Sequence, residues 1–284
     1  MPVNQSIEQQ LAKHLDALLS AEQRGWLDDA IATLVADRDP VDALLRYFPS
    51  ARRRLGRLPA AADATIQVDD RELPLAGWEA NDLGRAAMLV ALCARQPATE
   101  FVPILFRAGD ETERITIVRS LALLPDAELL KPVALEAGRG NSAALCAALV
   151  LDNSYPARLY TEHEFNQMVL KALFMGLPIG RILGLERRAN PELARMCEDF
   201  FDERTAANRM APLDIWLAMV PHASPRGLEL AKTYLGSVEP GHRFHAALAL
   251  GRRASQDPEL RALLKLRRET ETDERVLSAL KLVT

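Results

Sequence analysis

Apolar residues recur at helical spacing along most of the chain. Ile7, Leu11, Leu15 and Leu18/Leu19 share one face of a first helix, and Ser6 with Gln9 is spaced as a capping box at its start. A second helix carries Trp26, Ala30, Ile31, Leu34 and Val35 and stops near the Asp39–Pro40 break. A third runs from Val41 to Phe48 and is expected to end at Pro49. Residues 64–75 change period: Ile66 and Val68, then Leu73 and Leu75, alternate with polar residues around Asp69–Asp70. That pattern reads as a short hairpin, or as an extended loop, since Pro74 weakens a strand.

From Asn81 the helical period returns, over roughly 81–95, 99–108, 111–124, 126–138 and 141–151. Asn81, Thr99, Asp110 and Asn141 stand at N-cap positions, and Asp110 with Glu113 forms another capping-box pair. Gly109, Gly138 and Gly140 stand at helix ends, where left-handed backbone is wanted. Helices of this length with short turns build antiparallel pairs. The interval from Asp110 to Asn141 is repeated from Gly241 to Thr272, and residues 242–264 resemble a HEAT repeat. The expected fold is all-α: an irregular HEAT-like α-solenoid of antiparallel helix pairs. It is read as one domain with N-terminal helices over 1–60, HEAT-like helices over 81–151, a distinct central segment over 153–204 and HEAT-like helices over 212–284.

The central segment breaks the pattern. Asn153 to Arg158 reads as a turn, with Pro156 biasing Tyr155 away from helix. A helix then starts at about Thr161, with Glu164 as capping-box partner and Phe165, Met168/Val169, Ala172 and Met175 on its apolar face. His163, Gln167 and Lys171 line up along another face with Asn166 beside them. Such a row is either a solvated side or a binding surface, and Tyr155, Arg158 and Tyr160 immediately precede it. Farther on, Arg187 and Arg188 face either acids of the following helix or an anionic ligand. Asn190 before Pro191 is either an N-cap or a ligand contact.

Composition narrows the function classes. Aromatics are 5% of the 284 residues while Ala and Leu abound, which favours helix over sheet. A net charge of −4 and a pI near 5.8 argue against nucleic acid as the main partner. The arginines of 51–57 either offset a helix C-terminus or bind an anion. Cys93, Cys146 and Cys197 form no CxxC pair and read as reduced core residues. No signal peptide is read, and the longest apolar run, Ala143 to Leu151, is too short to span a bilayer, so a cytoplasmic protein is expected.

No metal site or cofactor is expected. His163-Glu164-Phe165-Asn166-Gln167 begins like the zinc motif H-E-x-x-H but has Gln where the second ligand belongs. His242 and His245 lack a carboxylate or cysteine partner at ligand spacing. Neither a Gly-rich phosphate loop nor a G-x-S-x-G elbow occurs.

NQMVLKALF, GLERRANPELARM and DIWLA, within residues 153–230, resemble the EboA family, most specifically over 153–204. That resemblance implies a place beside the other proteins of the ebo gene clusters. These are a prenyltransferase-like membrane protein, a TIM-barrel hydrolase-like protein and a sugar-phosphate-cyclase-like enzyme. The implied role is the synthesis or traffic of a secondary metabolite, including export of the scytonemin precursor, and it brings no catalytic residues. The expected function is a non-catalytic binding or adaptor protein whose partner is another protein of that cluster, a membrane protein among them, or a small polar metabolite. Its expected site is Tyr155, Arg158, Tyr160, His163, Asn166, Gln167, Lys171, Arg187, Arg188 and Asn190. The alternative is an enzyme acting on a small polar or sugar-like metabolite with His163 as acid/base.

Overall fold

The computed structural model describes residues 6–69, 71–255 and 257–283. Among them the protein is all-α, with one two-stranded sheet. The chain divides into two compact units, Met1–Tyr160 and Thr161–Thr284. No helix among the described residues is long and apolar enough to cross a membrane.

The first unit opens with α1 (Ile7–Leu18), α2 (Ala21–Ala36) and α3 (Pro40–Leu55). Ser6 and Gln9 form the expected capping box, and Ser20 with Gln23 makes a second. Helix α3 does not end at Pro49. Phe48, Ala51 and Leu55 are all buried, and that burial carries the helix through the proline to Gly56, whose φ of 76° ends it. Arg52, Arg53 and Arg54 fill the last turn, and Arg57 forms a two-pronged ion pair with Glu79 at 2.8 and 3.0 Å.

The alternating stretch folds as a hairpin, β1 (Thr65–Val68) antiparallel to β2 (Arg71–Pro74), with Ile66 opposite Leu73 and both buried. Pro74 sits at the end of its strand, where the missing N–H does no harm. Asp69 is left-handed, with φ 53°; Asp70, expected beside it in the turn, lies outside the described residues.

Helix α4 (Ala80–Leu92) is the centre of this unit and packs on α1, α2 and α3. A Cβ at Gly84 would lie 2.1 Å from Leu55 Cδ1, so the glycine lets α3 and α4 close together. Arg85 is buried within the same helix. It donates to the Phe48 carbonyl (2.9 Å) and to Asn81 Oδ1 (3.3 Å), with Glu113 at 3.8 Å. Burial lowers its pKa, opposed by the nearby carboxylates.

The unit continues through α5 (Ala98–Ala108), α6 (Glu111–Ser120), α7 (Lys131–Arg139), α8 (Ala143–Val150) and α9 (Ser154–Leu159). The Asp110–Glu113 capping box forms. Three expected caps shift by one or two residues, to Glu79, Pro97 and Ser142. Asn81 instead turns inward and donates to the Gly56 carbonyl. Residues 127–130 form a 3-10 turn ahead of α7. Gly109 and Gly140 are not left-handed, with φ −70° and −63°, and Gly138 lies inside α7. The expected turn at 153–158 is helix α9: Pro156 falls in its first turn, where no N–H is needed, and Asn153 caps it.

The second unit contains α10 (Glu162–Phe174), α11 (Leu185–Arg188), α12 (Pro191–Ala206), α13 (Trp216–Met219), α14 (Pro225–Tyr234), α15 (Pro240–Ala254), α16 (Pro258–Thr270) and α17 (Glu274–Val283). Thr161 and Glu164 make the expected capping box for α10. Gly176, at φ 70°, ends that helix, and the Leu177 N–H reaches back to the Ala172 carbonyl. Phe201, Trp216, Tyr234 and His242 stack as one aromatic cluster, where the Trp216 indole donates to His242 Nδ1 at 3.0 Å. The last three helices close around buried Glu271, which accepts from Arg243 at 2.8 Å and from Arg267 at 2.7 Å.

Candidate functional site

The ten polar residues of the central segment divide between the two units. In the first, Tyr155 is fully buried and its hydroxyl donates to the Ala127 carbonyl at 2.6 Å. Tyr160 is buried too and meets the Tyr155 ring edge-on at 6.4 Å. Asn153 ties α9 to the carbonyls of Val118 and Ala148. These are core contacts. Arg158 differs: it pairs with Asp69 of the hairpin turn, and its second terminal nitrogen is buried with no hydrogen-bond partner among the described residues. An unpaired guanidinium N–H is costly to leave so.

In the second unit Asn166 and Asn190 are buried and exchange amide hydrogen bonds at 3.1 and 2.9 Å. Asn190 also caps α12 by accepting from Leu193 N at 2.8 Å. Arg188 lies over the Phe165 ring at 4.6 Å and donates to the Thr161 carbonyl. Lys171 is half-buried, and His163 and Gln167 are exposed along α10. Arg187 is exposed and does not join Arg188.

Two cavities give these placements meaning. The first unit holds a cleft of about 710 Å³ that Arg158 enters from one side. Its polar lining includes Gln67, Asp69, Asp126 and Glu128, and its apolar lining includes Val90 and Leu159. Carboxylates outnumber the single guanidinium, so the cleft is electronegative. Asp69 and Asp126 are both left-handed, at φ 53° and 49°, which turns both backbones sharply at the cleft wall. Cys93 also borders the cleft; burial, helped by Asp126, pushes its thiol up to about 11 and keeps it protonated at neutral pH. The volume falls within the range of small-molecule sites.

The second unit holds a cavity of about 500 Å³ between the 180–187 loop and α15. Of the ten expected site residues, Arg187 is the one found there. Arg252, Phe244 and His245 come from α15, and Leu217 from α13. The loop is pinned by buried Asp214, which accepts from Ile179 N at 2.7 Å. Burial raises the pKa of Asp214, against the hydrogen bonds it accepts. His245 donates Nδ1–H to the Gly241 carbonyl at 2.9 Å, and burial lowers its pKa, leaving the ring neutral near pH 7.

Asp126, Phe244 and Arg252 had no sequence signal as site residues, Cys93 read as core, and His245 was weighed only as a metal ligand with His242. Asp69 read only as a turn residue. Pairs such as 69 with 158 are too far apart in the chain for helical or strand spacing to connect them.

Among the described residues no group of three or more His, Cys, Asp or Glu side chains could hold a metal ion. A family model described as metabolite traffic protein EboA matches residues 7–220, about three quarters of the chain. The match reaches much farther toward the N-terminus than the motifs of 153–230 and ends before their last ten residues. No curated protein and no solved structure matches significantly.

Proposed function

Since the chain belongs to the EboA family, we propose that it is a binding protein acting in the synthesis or traffic of a secondary metabolite, and that its first-unit cleft takes a small polar metabolite. The observation that carries this reading is Arg158. Its ion pair with Asp69 holds the guanidinium at the cleft wall, and its other terminal N–H lacks an acceptor. The guanidinium at the cleft wall offers a charged donor to a ligand carbonyl or hydroxyl oxygen. The surrounding carboxylates accept hydrogen bonds from ligand hydroxyl or amino groups, so the ligand class is neutral or cationic and rich in donors. Arg158 alone of the ten central residues contributes to this cleft. Tyr155, Tyr160, Asn166, Arg188 and Asn190 act as scaffold. The enzyme alternative gains no support, because exposed His163 borders neither cavity.

The test is mass spectrometry of small molecules that co-purify with the full chain from its native host. A compound enriched on the wild type and lost from a folded Arg158→Gln variant supports the reading. Equal recovery from both proteins overturns it.

A further inference from the structure

The second unit's cavity combines features that the first unit's cleft lacks. Its wall is apolar, with Leu217, Phe244 and Leu248 facing the space. Its charged lining is two guanidiniums, Arg187 and Arg252, against one carboxylate, Glu186. Arg187 is exposed and forms no ion pair among the described residues. Arg252 meets Glu186 at 3.7 Å, with both side chains largely in water, so that pair is weak and readily exchanged. The wall is also preformed. Buried Asp214 holds the start of the loop, Leu185 anchors α11 in the core, and Gly184 turns the chain with φ 79°.

We propose that this cavity is a second ligand site, selective for an amphipathic organic anion: an apolar ring or chain carrying a terminal carboxylate, sulfonate or phosphate. The apolar body lies against Leu217, Phe244 and Leu248, while the anionic end displaces Glu186 from Arg252 and engages Arg187. Guanidiniums suit this task because their fork of donors matches the paired oxygens of such groups. The cleft of the first unit, rich in carboxylates, repels the same ligand. The two sites therefore take different molecules, and this one stands or falls independently of the cleft.

The test uses the full chain and two probes with the same body, anionic 1-anilinonaphthalene-8-sulfonate and neutral N-phenyl-1-naphthylamine, titrated by fluorescence. The wild type binds the sulfonate saturably. Arg187→Gln and Arg252→Gln each weaken that binding on the order of tenfold, the worth of one charge-assisted hydrogen bond. Both leave the neutral probe unchanged. Glu186→Gln tightens the sulfonate about twofold by removing the competing carboxylate, with near-UV circular dichroism and a cooperative thermal transition excluding a molten variant, which would also bind this probe. Leu248→Trp fills the cavity and abolishes binding of both probes, and Arg158→Gln changes neither. Competition with decanoate and decyl phosphate then separates carboxylate from phosphate preference. Absence of saturable sulfonate binding overturns the proposal. So does equal affinity in the arginine variants, or equal weakening of both probes.

Discussion

Two neighbouring stretches, Asn153–Tyr160 and Thr161–Asn190, have similar polar and aromatic make-up and use it differently. In the first, polar atoms reach far along the chain: Tyr155 to Ala127, Asn153 to Val118, Arg158 to Asp69. In the second, the expected site residues mostly pair inside the segment, as Asn166 does with Asn190, or stand in water, as His163 and Gln167 do, while Glu186 reaches out to Arg252. A row of polar residues on a helix therefore says little about function by itself. What matters is where each side chain is placed, and Arg158 stands out because it alone of the ten borders the first unit's cleft.

The comparison breaks most visibly at Tyr155. Tyr155→Ala leaves a ring-sized void and an orphaned carbonyl, and should cost about 3–5 kcal/mol in chemical denaturation. A variant losing less than about 1 kcal/mol would show that the first stretch does not close its unit. Asn190→Ala removes the α12 cap and strands the Asn166 amide, for about 2–3 kcal/mol. Asn166→Ala in the same background should then cost much less than it does alone, because the two losses share one interaction.

A third measurement compares acid sensitivity. Glu271 is held well below the usual carboxylate range, chiefly by its hydrogen bonds from Arg243. Its contribution is therefore fully present above the unfolded carboxylate pKa and is lost as pH falls toward the lowered folded value. Thermal melting between pH 6 and pH 3 should show the wild type losing stability more steeply than Glu271→Gln. Parallel curves would refute the assignment. The smallest effects belong to exposed groups. His163→Ala should change stability by no more than about 0.5 kcal/mol. Arg158→Gln should cost less than about 1 kcal/mol, since its pair with Asp69 is water-exposed. A larger loss at His163 would mean that α10 is not simply solvated there.

The local part of this structure was readable in advance. Capping boxes at Ser6, Asp110 and Thr161 and the cap at Asn190 depend on residues three apart, so spacing reveals them. The alternation at 64–75 likewise marked the hairpin. Pro49 misled because a local preference yielded to the burial of Phe48, Ala51 and Leu55. Arg85, within the helix expected over 81–95, drew no notice in the sequence, yet it is buried because Phe48, Asn81 and Glu113 converge on it from three places in the chain. The cavities escaped notice for the same reason. Arg158 was singled out for its setting in sequence, yet what distinguishes it is a partner at residue 69. Arg252 lay in a helix that looked like ordinary repeat.

The hairpin presents one further issue, that of self-association. A two-stranded sheet in a helical protein offers exposed edges on which a second copy could add a strand. Here Gln10 of α1 both donates to the Gln67 carbonyl (3.0 Å) and accepts from its N–H (2.7 Å), while His14 donates to the Thr65 carbonyl. Side chains from a helix thus occupy the backbone groups that a strand recruited to β1 would need. The first helix thereby blocks the β1 edge, and the expected outcome of Gln10→Ala is self-association of folded protein before any loss of the fold, read by size-exclusion chromatography.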